Sequence, residues 1–315
     1  MPPTLPDIYE AAKRIRPYIH RTPVLTNESL NQKVGAQVFL KCENFQKVGA
    51  FKFRGACNAV FSLSDQEAAC GVSTHSSGNH AQALALAARL RGIPAYIVMP
   101  SNAPAVKKAA VAAYGGKITF CEPTLEAREA TLAQVVGETG STVVHPYNDE
   151  RVIAGQGTAV LELLEDVPEL DVIIAPVGGG GLLSGTSVAA TEIKKGIRVI
   201  AGEPEMADDA YRSLKAGEIL PSVKPKTIAD GLLTSLGNKT FPIIQTRVEQ
   251  VVTVSEQGII DSMQFIWERV KIIIEPSSAV AVGVLWERKI DLTGLKVGVI
   301  LSGGNVDLEK LPWQT

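Results

Sequence analysis

Residues 172–184 have the sequence VIIAPVGGGGLLS, in which an apolar run leads directly into four consecutive glycines. The run Val172–Val177 is apolar on both faces, as expected of a strand in a parallel sheet that is covered by helices. Gly178–Gly181 leave their amides unobstructed at the start of the next helix, where a phosphate can bind. A tight turn would not need four glycines, so the run predicts a phosphate site. No Gly-Lys-Ser/Thr follows as in a Walker loop, and Leu182–Ser184 break the Gly-x-Gly-x-x-Gly register of a dinucleotide site.

Short strand-like and helix-like segments alternate on both sides of this stretch. The predicted strands are rich in Val and Ile, which is typical of a parallel sheet. They are residues 71–75, 95–99, 118–121, 142–145, 172–177, 199–202, 251–254 and 297–301, and the helices between them are 79–90, 105–114, 125–137, 151–164, 258–270 and 277–288. We therefore predict an α/β fold with doubly wound open sheets. Leu220–Lys226, with two prolines and two lysines, is the most loop-like stretch.

The composition is that of a soluble globular protein. Of 315 residues, 45% are hydrophobic and 20% are charged, and the formal net charge is −2. This balance gives no basic surface for nucleic acid or an anionic membrane. No apolar run approaches the roughly 20 residues that span a bilayer, and the N-terminus does not resemble a secretory signal. The four cysteines form no Cys-x-x-Cys pair, so free thiols in a reducing, cytoplasmic compartment are expected.

A lysine occupies an unusual position in the stretch Gly49–Ala56, GAFKFRGA. Lys52 is predicted to begin a helix, where the helix dipole favours anions rather than cations. The flanking Phe51 and Phe53 could desolvate its amine and lower its pKa, which suits Schiff-base chemistry. Taken alone, Lys52 fits an ordinary exposed lysine better.

Three further motifs follow predicted strands. Ser76–His80, SSGNH, could hold a carboxylate at a helix N-terminus, or could simply cap the helix. Ser302–Asn305, SGGN, follows the last strand, where a serine could hydrogen-bond a ring nitrogen, although taken alone the motif fits a tight turn better. Glu203–Asp209, EPEMADD, carries carboxylates and carbonyls that suit Mg²⁺ or Ca²⁺, although it also fits an acidic helix start.

Taken in order, these motifs resemble those of the fold-type II pyridoxal-phosphate (PLP) enzymes, and within them the serine racemases and serine/threonine dehydratases. The likeness runs from about Ile19 to Leu308. The sequence SGNHA at residues 77–81 favours this branch over the cysteine synthases, which carry a Ser-Gly-Asn-Thr-Gly type loop. We expect a tryptophan synthase β-like fold with a large PLP-binding domain (residues 1–70 and 148–315) and a small mobile domain (residues 71–147). The family also implies a homodimer.

The resemblance implies roles for individual residues. Lys52 would form a Schiff base with PLP and then act as the base on one face of the substrate Cα. In racemases a serine matching Ser77 exchanges the proton on the other face. The residues implied around the cofactor are Phe51, Lys52, Asn79, Gly178, Gly179, Gly180, Gly181, Leu182, Glu275 and Ser302. Those implied around the substrate are Ser76, Ser77, Asn79, His80 and Arg128.

Two further ligands follow from the same resemblance. Glu203, Asp209 and the carbonyl of Ala207 match a divalent-metal site, for which Mg²⁺ is preferred over Mn²⁺ or Ca²⁺. The eukaryotic racemases also bind ATP as an effector, and the positions matching that site are Gln82, Tyr114, Lys271 and Asn305.

The favoured reaction is elimination of water from serine, threonine or 3-hydroxyaspartate to give a 2-oxo acid and ammonia, accompanied by serine racemisation through Lys52 and Ser77. Arg128 could bind a second substrate carboxylate, which would favour 3-hydroxyaspartate, or could be an exposed helical arginine near Glu126 and Glu129. The alternatives are an enzyme that is primarily a serine racemase and a dedicated 3-hydroxyaspartate dehydratase. A nicotinamide-dependent oxidoreductase and a non-catalytic binding protein are more distant alternatives.

Overall fold

The computed structural model describes residues 2–103 and 105–314. Within them the chain forms ten strands, which the following list gives in chain order. They are β1 (Val24–Leu25), β2 (Gln37–Cys42), β3 (Val72–His75), β4 (Ala95–Pro100), β5 (Lys117–Cys121), β6 (Thr142–Val143), β7 (Val172–Pro176), β8 (Arg198–Pro204), β9 (Gln250–Val254) and β10 (Lys296–Leu301).

The strands make two sheets. The six-stranded sheet has the order β1-β2-β10-β7-β8-β9, and the four-stranded sheet has the order β5-β4-β3-β6. Every neighbouring pair is parallel except β1 with β2. Strand β10 comes last in the chain, yet it lies between β2 and β7. The prediction of an α/β fold with open parallel sheets is confirmed.

The helices connect and cover the strands. They are α1 (Leu5–Ile15), α2 (Glu28–Val34), α3 (Lys52–Phe61), α4 (Asp65–Ala69), α5 (Asn79–Arg91), α6 (Ala105–Ala113), α7 (Leu125–Thr139), α8 (Glu150–Asp166), α9 (Gly181–Ile193), α10 (Asp209–Ala216), α11 (Phe241–Arg247), α12 (Glu256–Phe265) and α13 (Pro276–Trp286). Short 3₁₀ turns lie at Glu43–Phe45, Lys47–Gly49 and Asp230–Leu232. The helix predicted for residues 258–270 changes to a π-helical turn at Ile266–Val270. None of the described helices is both long and apolar enough to span a bilayer.

The six-stranded sheet is buried on both faces. Along β7, Ile173 and Ala175 pack into one apolar cluster, whereas Val172 and Ile174 pack into another. Alternate residues of a strand point to opposite faces, so helices cover the sheet on both sides. This burial accounts for the uninterrupted apolar run that identifies β7 in the sequence.

The four-stranded sheet is buried mainly on one face. Ile97 and Met99 of β4 join a large cluster that also contains Phe53 and Val60 of α3. On the other face Val98 joins a cluster with only two other buried residues, both from α7. The core of this sheet therefore includes residues that precede the predicted boundary at residue 71, and the division into two domains stays a prediction.

Glycines bring three helices into backbone contact near the start of α3. A Cβ added to Gly155 of α8 would lie 2.7 Å from Cα of Gly55 on α3. A Cβ added to Gly185 of α9 would lie 2.6 Å from the main-chain nitrogen of Gly157 on α8. Real side chains do not fit at such distances, so α8 acts as a spacer between the helix that begins at Lys52 and the helix that begins at Gly181.

Candidate active site

The predicted catalytic and phosphate-binding motifs meet at one edge of the six-stranded sheet. Strands β7 and β10 are parallel neighbours, so Gly178 and Ser302 follow their carboxyl ends side by side. The amide of Phe51 donates to the carbonyl of Ser302 at 3.0 Å, and the amide of Gly304 donates to the carbonyl of Gly49 at 2.9 Å. These bonds place the stretch that contains Lys52 against the end of β10. Ligands of open α/β sheets bind at this edge.

Lys52 is the first residue of α3, as its sequence context predicts. Its ammonium donates to the carbonyl of Pro146 at 2.9 Å and lies 5.1 Å from the ring centroid of Phe51. Burial lowers the pKa of Lys52 to about 8, and the nearby Glu275 partly opposes this effect. Much more of the amine is therefore neutral and nucleophilic near neutral pH than in an exposed lysine.

The glycine cradle, Gly178–Gly181, leaves no room for side chains. A Cβ on Gly179 would lie 2.3 Å from the ring of Tyr147, and a Cβ on Gly181 would lie 2.9 Å from Cα of Tyr147. Gly180 has φ +87°, a conformation that disfavours other residues. The amides that begin α9, including that of Leu182, have no partner within the helix, so they are available to a phosphate. Since Tyr147 follows Pro146, this segment also connects the cradle to Lys52.

A hydrogen-bonded network joins the two sheets next to this edge. The amide nitrogen of Asn79 donates to both carboxylate oxygens of Glu275, at 3.0 and 3.1 Å. The side chain of Asn305 donates to Asn79 Oδ1 at 2.9 Å, and its main-chain amide donates to Glu275 at 3.1 Å. Burial raises the pKa of Glu275 to about 7. The network fixes Asn79, at the start of α5, relative to the six-stranded sheet.

The loop Ser76–His80 lies between β3 and α5, as predicted. Its only hydrogen bond within the loop runs from the amide of Gly78 to Ser76 Oγ, at 3.3 Å, among the described residues. Ser77 is half-buried. The His80 side chain instead lies inside the protein, with Nε2 3.1 Å from the carbonyl of Val144. Burial lowers the pKa of His80 to about 3, so its imidazole is neutral. Because its one N–H then faces the carbonyl of Val144, any contact with a substrate carboxylate would come from the main-chain amide of His80.

Three of the four histidines gather at this site, and the sequence analysis singled out only His80. The ring centroid of His145 lies 6.1 Å from that of His75 and 4.6 Å from that of Tyr147, and both ring pairs are edge to face. The amides of Tyr147 and Asn148 donate to His145 Nδ1 at 3.3 and 2.9 Å, so the ring proton resides on Nε2. Burial lowers the pKa of His145 to about 4. The signal available in the sequence was that His75 and His145 each end a predicted strand.

Arg128 lies on α7, which packs on the four-stranded sheet. Its Nε is buried and has no hydrogen-bond partner among the described residues. Burial lowers the pKa of His75, the last residue of β3, while the nearby Glu129 opposes this effect and Arg128 adds to it. Arg128 is therefore near enough to His75, which directly precedes the Ser76–His80 loop, to affect the charge of that imidazole.

The acidic motif after β8 is folded around the start of α10. The carboxylate of Glu203 accepts hydrogen bonds from the main-chain amides of Ala210 and Tyr211, at 2.7 and 2.8 Å. Burial raises the pKa of Glu203 to about 8 and that of Asp209 to about 6. Asp209 Oδ2 is buried without a partner among the described residues. The described residues contain no cluster of three or more His, Cys, Asp or Glu side chains suited to a metal.

The positions matched to an ATP site differ in burial. Gln82 is buried on α5, and Asn305 belongs to the network with Asn79 and Glu275. Lys271 is exposed at a left-handed position, φ +65°, and Tyr114 is half-buried after α6. The structure gives no hydrogen bond that links Lys271 or Tyr114 to the other two within the described residues.

The sequence matches the family model described as "Pyridoxal-phosphate dependent enzyme" over residues 15–303. It is 54% identical over 311 residues to the beta-hydroxyaspartate dehydratase of Paracoccus denitrificans, with 99% of each chain covered. The crystal structure of serine racemase from Dictyostelium discoideum is 52% identical with a TM-score of 0.92, covering 97% of this chain and 99% of that one. The structure of maize serine racemase is 47% identical with a TM-score of 0.96, covering 98% of this chain and 95% of that one. These matches confirm the resemblance and the fold class predicted from the sequence.

Proposed function

This chain belongs to the pyridoxal-phosphate-dependent enzyme family, and we propose that it eliminates water from small hydroxy-amino acids and also racemises serine. The observation that carries the proposal is Lys52, an amine with a pKa of about 8 that lies between the glycine cradle and Ser302. The Ser76–His80 loop on the neighbouring sheet supplies the groups for an amino-acid carboxylate. The products of elimination would be a 2-oxo acid and ammonia.

The residues present fit PLP. The glycine cradle and the amide of Leu182 would hold the phosphate through the main-chain amides that begin α9. Close packing against Tyr147, Leu232 and Thr240 fixes the cradle in place. Lys52 would hold the cofactor covalently, and Phe51, Asn79, Glu275 and Ser302 would surround its ring. When bound, the cofactor supplies an electron sink for the charge that develops at Cα.

Lys52 and Ser77 would exchange protons at the substrate Cα. Lys52 Nζ would remove the proton from one face, since its neutral form is accessible near neutral pH. Ser77 would serve the opposite face, which makes racemisation a two-base reaction. The amides of the Ser76–His80 loop would hold the carboxylate at the start of α5. Residues 71–147 would act as a small domain whose closure excludes water.

Ser302 favours elimination as the partner reaction. It is buried at the end of β10, where it would face the ring nitrogen of the cofactor. A hydroxyl is too weak an acid to protonate that nitrogen, so electron withdrawal into the ring is limited. Departure of the β-hydroxyl therefore competes with return of the proton to Cα.

Arg128 favours 3-hydroxyaspartate among the candidate substrates. A buried Nε without a partner among the described residues suits a ligand that brings its own negative charge, and a guanidinium can bind a carboxylate through two hydrogen bonds. A relative that is 54% identical is named for this substrate. The alternatives are serine or threonine as the main substrate for elimination, or serine racemisation as the main reaction.

The test is 2-oxo acid release, with chiral analysis of the remaining amino acid, from L-serine, L-threonine and the isomers of 3-hydroxyaspartate. Arg128→Ala should lower kcat/KM for hydroxyaspartate about 100-fold, because loss of one partner of a buried charge pair costs about 2–5 kcal/mol. It should change kcat/KM for serine less than about threefold, because serine has no second carboxylate. Arg89→Ala, at an exposed arginine of α5, is the matched control. Full hydroxyaspartate turnover in Arg128→Ala would remove this role, and D-serine accumulation with weak 2-oxo acid release would identify a racemase.

We also propose that Glu203, Asp209 and the carbonyl of Ala207 bind Mg²⁺. Two buried carboxylates with raised pKa values, and a buried Asp209 oxygen without a partner among the described residues, suit a hard cation. Chelation with EDTA should lower the thermal midpoint and the activity, and Mg²⁺, Mn²⁺ and Ca²⁺ should restore them to different extents. An unchanged thermal midpoint would favour the simpler role of Glu203 as an acidic cap of α10.

ATP activation and a homodimer are proposals that rest on the family resemblance, and a cytoplasmic location is a proposal that rests on the four cysteines without a Cys-x-x-Cys pair. Residues Gln82, Tyr114, Lys271 and Asn305 would contact ATP. Measuring activity with and without added ATP tests the first proposal, and sedimentation of the purified protein tests the second.

A further inference from the structure

We infer that Arg54 is a positioning residue that fixes the rotation of α3 and thereby the direction in which Lys52 projects. This inference rests on the proposed role of Lys52 as the residue that holds the cofactor. It concerns a charged cluster, called here the Arg54 network, that lies on the face of α3 opposite Lys52. The network consists of Lys41, Glu43, Arg54 and Glu162 with Thr22 and Thr158.

Arg54 uses its whole guanidinium in this network. Its Nε and Nη2 donate to Glu43 at 2.7 and 2.9 Å, and its Nη1 and Nη2 donate to Glu162 at 2.8 Å each. Nη1 also donates to the hydroxyl of Thr158 at 3.2 Å. The side chains of Arg54 and Glu43 are fully buried, and that of Glu162 is 12% exposed. Each carboxylate accepts two hydrogen bonds from the planar guanidinium, and two such paired contacts together allow the guanidinium only one orientation.

Lys41 completes the charge balance of the network. Its ammonium donates to Glu162 and to the carbonyl of Thr22, both at 2.7 Å, and its side chain is fully buried. The hydroxyl of Thr22 donates to Glu43 at 2.6 Å. Two cations therefore face two carboxylates, and the network ties α3 to β2, to the turn after β2 and to α8.

Arg54 and Lys52 point in different directions from the same helix. An α-helix turns about 100° per residue, so side chains two positions apart lie about 200° apart around the axis. Arg54 is therefore an anchor on the face opposite Lys52. A side-chain tip lies roughly 5–6 Å from the axis, so a rotation of about 10° would shift it by about 1 Å. Misplacement by 1 Å can reduce a reaction rate about 100-fold.

The contact of α3 with α8 limits translation of α3 but resists its rotation only weakly, although Phe53 and Val60 pack α3 into the core on another side. Gly55 lies against Gly155 of α8, and its amide donates to the side chain of Gln156 at 3.1 Å. A contact between two glycines has no side chains that interlock, so it resists rotation weakly. The Arg54 network adds a directional constraint, since hydrogen bonds between charged groups depend on angle more strongly than the apolar contacts of α3 do. Buried ion pairs are often no more stabilising than apolar residues of similar size, so orientation is the property that the charges add here.

The experiment compares variants purified with pyridoxal phosphate. Arg54→Lys keeps the charge but loses the two paired contacts. A four-residue variant, Lys41→Met with Glu43→Gln, Arg54→Met and Glu162→Gln, removes all four charges and leaves no buried charge unpaired. Arg198→Lys is the matched control, because Arg198 forms a similar paired contact with Glu249 on the protein surface, with both bonds at 2.8 Å.

The readouts separate positioning from folding. Borohydride reduction followed by peptide mass spectrometry measures the fraction of Lys52 that carries pyridoxal phosphate. The visible absorbance of the attached cofactor against pH reports the surroundings of the Lys52 nitrogen. Far-UV circular dichroism and thermal unfolding report the fold, and kcat and KM report catalysis.

We expect Arg54→Lys and the four-residue variant to fold cooperatively, with kcat lowered 10- to 100-fold and KM changed less than threefold. The fraction of Lys52 that carries pyridoxal phosphate should fall, and the pH midpoint of the absorbance should shift. Arg198→Lys should match the wild type in every readout. If one variant does not fold, the other decides the inference.

A folded variant with wild-type kcat and a wild-type absorbance profile would overturn the inference and leave Arg54 with a purely structural role. If instead the wild-type protein carries no cofactor on Lys52, the proposed function fails, and the inference fails with it. The two failures are therefore distinguishable on the wild-type sample alone.

Discussion

The six-stranded and four-stranded sheets share a strand–helix pattern but differ in how firmly their charged groups are held. The six-stranded sheet has an apolar cluster on each face, whereas the second face of the four-stranded sheet has a cluster of three buried residues. Arg54, beside the six-stranded sheet, forms ion pairs with two carboxylates of the protein, Glu43 and Glu162. Arg128, beside the four-stranded sheet, has a buried Nε without a partner among the described residues. The comparison indicates that the charges beside the six-stranded sheet, the proposed cofactor side, are paired within the protein. Arg128, on the proposed substrate side, has a buried Nε that a ligand would complete under the proposed function.

The largest expected effect concerns the proposed cofactor side. Lys52→Ala should lower both 2-oxo acid release and racemisation by about 1,000-fold or more, because the group that moves the Cα proton is removed. Pyridoxal phosphate should still bind without a covalent bond, since the glycine cradle is intact. Activity assays and equilibrium dialysis with the cofactor measure the two effects. Residual activity above about one tenth of the wild type would show that the cofactor edge of the six-stranded sheet does not hold the base.

A smaller effect is expected in the glycine cradle. Gly179→Ala would place a Cβ 2.3 Å from the ring of Tyr147, which must move and take Pro146 with it. Overpacking of this kind costs about 1–3 kcal/mol, so the Kd of pyridoxal phosphate should rise up to about 100-fold in a fluorescence titration.

Gly137→Ala is the control on the other sheet. Gly137 lies within α7, and a Cβ there would meet no atom within 4 Å. Alanine should stabilise the helix by about 0.5–1 kcal/mol and leave cofactor binding unchanged. Equal losses in both variants would argue against a difference between the two sheets.

The two sheets should also respond oppositely to acid. His80, between β3 and α5, is buried as the neutral imidazole with its pKa lowered to about 3. The unfolded chain binds a proton near pH 6.5 and the folded one does not, so stability is lost as the pH falls below 6.5, by about 2 kcal/mol between pH 7 and 5. Glu275 has a pKa raised to about 7, so its contribution is present below pH 4.5 and is lost as the pH rises through 7.

Hydrogen exchange at pH 7 and pH 5 measures this difference. The hydrogen-exchange protection factors of amides in β3 and α5 should be up to about 30-fold lower at pH 5 than at pH 7. Those of amides in β7 and α13 should not fall. Uniform loss across both sheets would contradict the prediction.

The smallest expected effect concerns an ion pair between the sheets. Lys107 of α6 pairs with Asp230, in the turn beside the glycine cradle, and both side chains are partly exposed. Such pairs contribute about 0.2–1 kcal/mol, so Lys107→Ala should raise KM up to about fivefold without changing kcat, and added salt should have a similar effect on the wild type. Lys108→Ala, at a lysine that donates to the carbonyl of Ser101, is the control. A fall in kcat without a change in KM would indicate that the pair affects chemistry rather than substrate binding.

The sequence predicts strands where burial on both faces produces an apolar run, as in β7 and β10. It does not identify β2, the neighbour of β10, because the polar Lys41 interrupts its run. Lys41 is tolerated there only because Glu162 lies beside it, 121 positions later in the chain. Such a pairing depends on tertiary structure and leaves no local pattern.

The residues of the candidate site also differ in whether local sequence is enough to predict them. The glycine cradle is recognisable from four consecutive residues, since its chemistry depends on the local backbone. Lys52 taken alone fits an ordinary exposed lysine, and only the order of all the motifs along the chain points to its role. The bonds of Asn79 with Glu275 and Asn305 join residues about 200 positions apart, and the sequence gives them only as separate positions. His145 was missed because its effect depends on His75 and Tyr147, which folding brings to it.

The position of β10 affects how the six-stranded sheet can form while the protein is being synthesised. Of the ten described strands, β10 is the last to leave the ribosome, yet β2 and β7 can be joined only through it. Until residues 296–301 emerge, β2 and β7 each present an open edge, which is a site for unwanted pairing. The strands of the four-stranded sheet are all available by residue 143, so that sheet can form during synthesis. Nascent chains should therefore depend on chaperones longest over the cofactor side, and a chain stopped just before residue 296 should be degraded rather than accumulate as a partly active enzyme.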